Sequence, residues 1–264
     1  MKIYDGFTFF NELELLELRL MTLDRVVDYF IIVEADLTHA GEPKEFNLSA
    51  DHPILTKYGD KIRYIRTSLP HGKNAWPNEN FQRNQISQGL YDAEPEDFVM
   101  ISDLDEIPNP DGILEGINKG WEQWLMEQKL TYYYVNCLAG QNWHGTAILK
   151  KKHLSTPQRV RDSRQNPPRV ILNGGWHYSF IGGIDRIKTK LESYAETQTN
   201  NKDVNNEEHI IKCLETGYDL FGREGDWRYT KKFVPLDVIA HPELKEWLIK
   251  YPHMYKETWK EEEQ

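Results

Sequence analysis

Cysteine is scarce in this 264-residue chain, which has only Cys137 and Cys213. A chain of this length has no need of a disulfide scaffold, so two buried free thiols are the expected state. Excess basic charge is lacking too: Lys and Arg total 32 against 42 Asp and Glu, a formal net charge of −10. That argues against nucleic acid as a main partner, which needs a basic stripe to neutralise phosphates. A nucleotide substrate is still allowed, since a bound cation and a few local arginines hold one or two phosphates. Long apolar runs are missing. No stretch approaches the roughly 20 apolar residues that span a bilayer, and the opening Met1-Lys2-Ile3-Tyr4-Asp5-Gly6 lacks the apolar run of a signal peptide. The expected location is the cytoplasm. Internal repeats and low-complexity tracts are also absent.

What is present suits a soluble α/β protein. Hydrophobic residues make up 39% and aromatics 12%, enough for a sizeable core, with 28% charged residues for the surface. Residues 11–20 put Leu13, Leu16 and Leu20 on one helical face, with Glu12, Glu14 and Glu17 outside it. Residues 29–34 form a continuous apolar run of the kind seen in buried parallel strands. A weaker strand at 62–65, a helix at 79–90 and a strand at 97–102 follow. This β-α-β-α-β rhythm predicts a mainly parallel sheet.

The second half reads differently. Strands at 131–137 and 146–154 suggest a mixed or antiparallel extension. Residues 162–168 read as a loop, and strands at 169–172 and 176–181 flank the turn Asn173-Gly174-Gly175. Helices are expected at 185–195, 207–215 and 242–250, with a polar loop at 197–206. Residues 1–252 are read as one catalytic domain, with 1–110 the nucleotide-binding half and 111–252 the acceptor half. Residues 253–264 form a charged tail.

The strand at 97–102 ends directly in Asp103-Leu104-Asp105-Glu106. Ligands of open α/β sheets sit at the carboxyl ends of strands. Two acids two residues apart face one site while Leu104 packs inward. Paired carboxylates repel unless a cation bridges them, and oxygen ligands of this type suit Mn²⁺ or Mg²⁺ bound against substrate phosphates. The alternative is a pair of acids that caps the helix starting after Pro108. An EF-hand is excluded, because Ile107 and Pro108 stand where a ligand and a glycine are required.

Five segments together carry a resemblance: Phe7-Thr8-Phe9-Phe10-Asn11-Glu12-Leu13, Val33-Glu34-Ala35, Gln82-Arg83-Asn84, Ser102-Asp103-Leu104-Asp105-Glu106-Ile107-Pro108 and Gly175-Trp176-His177-Tyr178-Ser179. In this order, over about residues 3 to 200, the chain resembles glycosyltransferase family 17. The resemblance implies a GT-A fold, a UDP-sugar donor with GlcNAc as the sugar, a Mn²⁺-type cation and transfer to a glycan hydroxyl with inversion. It makes Asp103 and Asp105 the metal and diphosphate motif, with His177 a third ligand. Phe10, Asn11 and Glu34 belong to the implied nucleoside pocket, and Lys44 and Arg83 are phosphate candidates, Arg83 alternatively pairing with a nearby acid. For the general base, Asp185 resembles the glycine-then-acid element of many inverting GT-A enzymes, with Glu106 as the alternative. The structural alternatives are a helix N-cap for Asp185 and a core position for His177. His144, His153, His209 and His241 are read as structural.

Two other functions share some of these features. A haloacid dehalogenase-type phosphohydrolase also places Asp-x-Asp after a strand, but near the N-terminus and followed by Gly-Thr. A lectin-like carbohydrate-binding module would explain eight tryptophans and fourteen tyrosines, yet lectins of this size are usually all-β.

Overall fold

The computed structural model of the protein describes residues 1–49, 51–165, 167, 169–223 and 228–229. The expected helix at 242–250, the tail and His241 lie outside the described residues. Strand β1 (Ile3–Phe9) is the central strand of the parallel half, a position its composition disguises. Asp5 and Gly6 interrupt its apolar pattern. Asp5 is tolerated because Arg19 neutralises it at 2.6 Å, with neither side chain exposed. Gly6 is required because Ile86 Cγ2 lies 2.3 Å from the point where a Cβ would stand.

β1 pairs in parallel with β2 (Tyr29–Ala35) on one side and with β4 (Phe98–Asp103) on the other; β2 pairs in parallel with β3 (Ile62–Thr67). Helix α1 (Leu13–Leu23) crosses from β1 to β2, and α2 (Pro53–Tyr58) precedes β3. Burial on α1 is wider than the predicted stripe. Leu15, Leu16, Leu18, Leu20 and Leu23 are buried while Leu13 is only partly so, because α1 packs along the central strands and wraps Arg19 inside. α3 (Ala75–Asn84) starts and ends earlier than the predicted helix, and residues 85–90 continue as a tighter 3₁₀ segment.

After the short β5 (Glu106–Pro108), Asn109 caps α4 (Pro110–Asn118) by accepting from Asp111 N at 3.0 Å. The antiparallel extension then begins. The strand expected at 131–137 is instead the end of β6 (Gln123–Tyr132), followed by a turn and by β7 (Cys137–Lys150). Tyr133 adopts φ +65 and so ends the strand. Ahead of the expected 162–168 loop, in a stretch the sequence left unassigned, lies the short helix α5 (Pro157–Asp162), started by Thr156, whose hydroxyl accepts from Arg159 N at 3.3 Å. β8 (Val170–Ile171), β9 (Gly175–Ser179), α6 (Gly183–Ser193), α7 (Glu207–Thr216) and β10 (Arg228–Tyr229) complete the described elements.

One mixed sheet results, ordered β3-β2-β1-β4-β7-β6-β9-β5, with β10 beside β7 and β8 beside β6. β7 runs antiparallel to β4 and β6, whereas β9 is parallel to β6 and antiparallel to β5. Cys137 and Cys213 are buried and form no disulfide. Among the described residues no helix is long and apolar enough to cross a membrane.

Candidate active site

A cleft of about 510 Å³ opens over the carboxyl ends of β1, β2 and β4, where an open α/β sheet holds its ligands. β4 ends at Asp103, and a turn through Leu104 and Asp105 leads into β5. Both acids line the cleft, while Leu104 is 5% exposed and packs in the main core.

Cationic side chains meet the repulsion between these acids. Arg83 Nη2 donates to Asp103 Oδ1 at 2.8 Å, and Arg161 Nη2 takes Oδ2. Lys190 Nζ lies 2.9 Å from Asp105 Oδ2, and His177 Nε2 stands 3.5 Å from Oδ1. Burial alone would raise both carboxyl pKa values. The Arg161 and Arg83 charges at Asp103, and those of Lys190 and His177 at Asp105, hold both carboxyls well below the usual range.

Of the residues singled out in the sequence, Phe10, Lys44, Arg83, Asp103, Asp105 and His177 line the cleft; Asn11, Glu34, Glu106 and Asp185 do not. Glu34 is fully buried beneath the 44–48 segment. Its carboxylate accepts from Lys44 Nζ at 2.8 Å, Asn47 N at 2.6 Å and Tyr64 Oη at 2.7 Å. Burial opposes its ionisation, but these donors prevail and keep its pKa below the ordinary value. Glu34 thus shapes the pocket through Lys44 and the loop. Asn11 serves through its backbone, its carbonyl accepting from Leu13 N at 3.0 Å.

Neither residue named for the base role faces the cleft. Glu106 is 0% exposed and saturated, accepting from Trp143 Nε1 at 2.5 Å, Asp103 N at 3.0 Å and both terminal nitrogens of Arg161. It orients those groups and has no free edge for an acceptor hydroxyl. Asp185 is exposed in the first turn of α6, and the N-cap is Gly182. At 3.6 residues per turn, Asp185 sits about 140° around the helix from Lys190, the residue that α6 does present to the cleft.

Sequence reasoning missed Arg161, Arg164, Lys190 and Trp143. The Thr156-Pro157 pair was a readable start signal for the short helix that carries Arg161. Arg164 is distinctive: among the described residues it makes no hydrogen bond, only a 3.6 Å approach to the already saturated Glu106 and a stack 4.7 Å from the Trp143 ring centre. Burial and the neighbouring Arg161 charge both lower its pKa. Its donors therefore remain available to a ligand.

Among the described residues no three His, Cys, Asp or Glu side chains converge as a complete metal site. Asp105 and His177 nevertheless meet at 3.5 Å with Asp103 beside them, and His177 Nδ1 is buried without a partner. This donor set fits a divalent cation that takes its remaining ligands from phosphates and water.

An open α/β sheet that delivers a paired-acid turn into a cleft lined by acids and bases alike is an arrangement suited to a group-transfer enzyme. Its mainly parallel half is unlike an all-β sugar-binding module, and the acids after β4 stand far from the N-terminal position they take in a haloacid dehalogenase-type phosphohydrolase. The model of glycosyltransferase family 17 matches residues 1–243, and the chain belongs to that family. A mainly parallel half with an antiparallel extension is the GT-A arrangement expected from the sequence, and the family is one of glycosyltransferases.

The human β-1,4-mannosyl-glycoprotein 4-β-N-acetylglucosaminyltransferase is 30% identical over 113 residues, covering 39% of this chain and 21% of that protein. The Rattus norvegicus and Mus musculus proteins of the same description match the same lengths at 30% and 29% identity. The match thus spans only 21% of the length of these relatives. Among solved structures, galactosyltransferase LgtC in complex with donor and acceptor sugar analogs gives a TM-score of 0.34 at 13% identity, covering 65% of this chain and 73% of that one. The Francisella tularensis 2-C-methyl-D-erythritol 4-phosphate cytidylyltransferase gives 0.37 at 8% identity, covering 65% and 90%.

Proposed function

We propose that the protein is a metal-dependent, inverting glycosyltransferase that moves GlcNAc from UDP-GlcNAc to a glycan hydroxyl. The observation carrying this reading is the paired-acid turn at the strand-end cleft, where Asp105 meets His177 at 3.5 Å and Asp103 lies beside them, in the same cleft as the unused donors of Arg164. Family membership and the N-acetylglucosaminyltransferase relatives support the choice of sugar.

Asp105 and His177, with Asp103, would hold the cation. Bound there, Mn²⁺ or Mg²⁺ supplies Lewis-acid stabilisation of the charge that grows on the departing diphosphate. Lys190 and Arg164 add fixed positive charge at the same leaving group, worth most in a site that excludes water. Arg83 and Arg161 act on Asp103 itself, holding its carboxylate in place while substrate arrives. Arg19 fixes the backbone of the turn from beneath.

Inversion needs a carboxylate or histidine to take the proton of the acceptor hydroxyl. Three cleft carboxylates have no ion-pair partner among the described residues: Glu12, Asp162 and Glu196. We assign the base to this set.

The test is thermal stabilisation by UDP with and without Mn²⁺, followed by transfer assays with UDP-GlcNAc, UDP-Glc, UDP-Gal and UDP-Xyl. Stabilisation that requires both nucleotide and metal is expected. No response to UDP with manganese present would end this reading.

A further inference from the structure

The pocket over the ends of β1 and β2 contains a hydrogen-bond relay that the roles above do not use. Gln82, only 3% exposed, reaches from α3 into the parallel sheet. Its Nε2 donates to the Val33 carbonyl at 2.9 Å and to the Phe9 carbonyl at 3.4 Å. Both amide hydrogens are thereby committed. A flipped amide would turn its oxygen against two carbonyl oxygens, so Oε1 faces the other way and meets His39 Nε2 at 2.8 Å. That nitrogen must be the donor, which makes the neutral imidazole the Nε2–H tautomer and leaves Nδ1 with a lone pair.

His39 is half-buried, its ring lines the cleft, and among the described residues its only ring hydrogen bond is through Nε2, so Nδ1 makes none. The backbone around it is pinned as well. The fully buried Asn78 donates from Nδ2 to the His39 carbonyl at 3.1 Å. Nearby, Phe10, Ala35 and Leu37 form a slot of apolar surface edged by the polar groups of Thr38 and Lys44, whose ammonium lies 5.6 Å from the Phe10 ring centre. The imidazole and this slot together suit a flat heterocycle with a polar edge.

We propose that His39 reads the nucleobase: its Nδ1 accepts the imide N3–H of uracil, with the tautomer set by Gln82. Resting on the UDP-sugar reading above, this names the atom that selects the base. Cytosine carries a lone pair at N3, so it would set acceptor against acceptor and leave both groups unpaired. Discrimination against a ligand that cannot complete a buried polar contact is the strongest kind a pocket offers.

The experiment is calorimetric titration of the full chain with UDP and with CDP at saturating Mn²⁺, for the natural protein, His39→Ala and Gln82→Met. Thermal melts of each variant verify folding. UDP is expected to bind about tenfold or more tighter than CDP to the natural protein. His39→Ala should bring the two nucleotides to within about twofold of each other, and Gln82→Met should leave an intermediate ratio because the tautomer is freed. A UDP-to-CDP preference that persists in folded His39→Ala overturns the proposal, as does a natural protein with no preference. If neither nucleotide binds, the UDP-sugar reading falls and this inference with it; the two failures are therefore distinct.

Discussion

Arg19 and Asp5 form a two-pronged ion pair closed to solvent, with Nε to Oδ2 at 2.8 Å and Nη2 to Oδ1 at 2.6 Å. The rest of the guanidinium fans out beneath the paired-acid turn. Nη1 donates to the carbonyls of Asp103 at 3.0 Å, Leu104 at 3.2 Å and Glu106 at 2.9 Å, and Nη2 also donates to Ser102 Oγ at 2.6 Å. One side chain from α1 therefore sets the path of the loop that presents Asp103 and Asp105. Planarity matters here, because a lysine ammonium cannot serve a carboxylate and several carbonyls with a rigid fork.

Breaking this pair should be costly. Asp5→Asn or Arg19→Met leaves the partner charge buried and uncompensated, and each is expected to destabilise the fold by about 3–5 kcal/mol. Urea unfolding measures the loss. Arg19→Lys should retain more stability than Arg19→Met while still weakening UDP–Mn²⁺ binding, because the carbonyl contacts go. An unfolding midpoint unchanged in Asp5→Asn would contradict the account.

Lys190 and the proposed cation compete for the same carboxylate. With its ammonium 2.9 Å from Asp105 Oδ2, replacing Lys190 by Met should raise affinity for Mn²⁺ alone. The same change should lower affinity for UDP, since a positive charge leaves the phosphate site. These opposite signs are measured by titrating metal and nucleotide separately. Asp105→Asn should abolish the manganese-dependent part of UDP binding, and His177→Ala should weaken Mn²⁺ binding by about tenfold or more. Parallel changes in both affinities for Lys190→Met would sink the competition.

The parallel half was readable because its signals are local. The apolar run of β2 and the acids following β4 each declare themselves within ten residues, and Asn109-Pro110 announces α4. β1 was obscured by Asp5 and Gly6, whose reasons lie on α1 and at Ile86, far along the chain. β6 was missed because Trp124, Leu125 and Met126 are buried in succession and the polar Gln128 is buried between the partly exposed Glu127 and Lys129, so no alternation of apolar and polar residues shows. Asp103, Asp105 and His177 stood out as residue types suited to metal. Arg161, Arg164 and Lys190 did not, since which face of a helix turns toward a cleft depends on tertiary packing. Asp185 was singled out by what precedes it, yet its helix points it to solvent.

The base assignment separates cleanly by mutation. Among Glu12→Gln, Asp162→Asn and Glu196→Gln, one is expected to lower kcat by about a hundredfold or more, the usual scale for losing a general base. UDP affinity in that variant should be nearly unchanged. Asp185→Asn, altering an exposed position, should leave kcat within about twofold on the same ground. Full activity in all three cleft variants would remove the base from this set.

The pH dependence of stability should show a plateau with two different flanks. Asp103, Asp105 and Glu34 have folded pKa values below their unfolded values, which lie near about 4. Their contribution is complete above roughly pH 5 and is lost as the pH falls through the folded values, which for Asp103 and Asp105 lie in strong acid. Tyr4 behaves in the opposite way. Burial, then its hydrogen bond to Asp92 at 3.1 Å, pushes its phenol up to about 12, above an unfolded value of about 10. A raised pKa gives stability that is full below pH 10 and lost as the pH climbs toward 12. Urea midpoints taken at intervals from acid to alkali trace both limbs. Tyr4→Phe removes the titrating group, so it should lower the plateau while making the alkaline limb shallower, and an alkaline limb of unchanged steepness would show that Tyr4 does not set it.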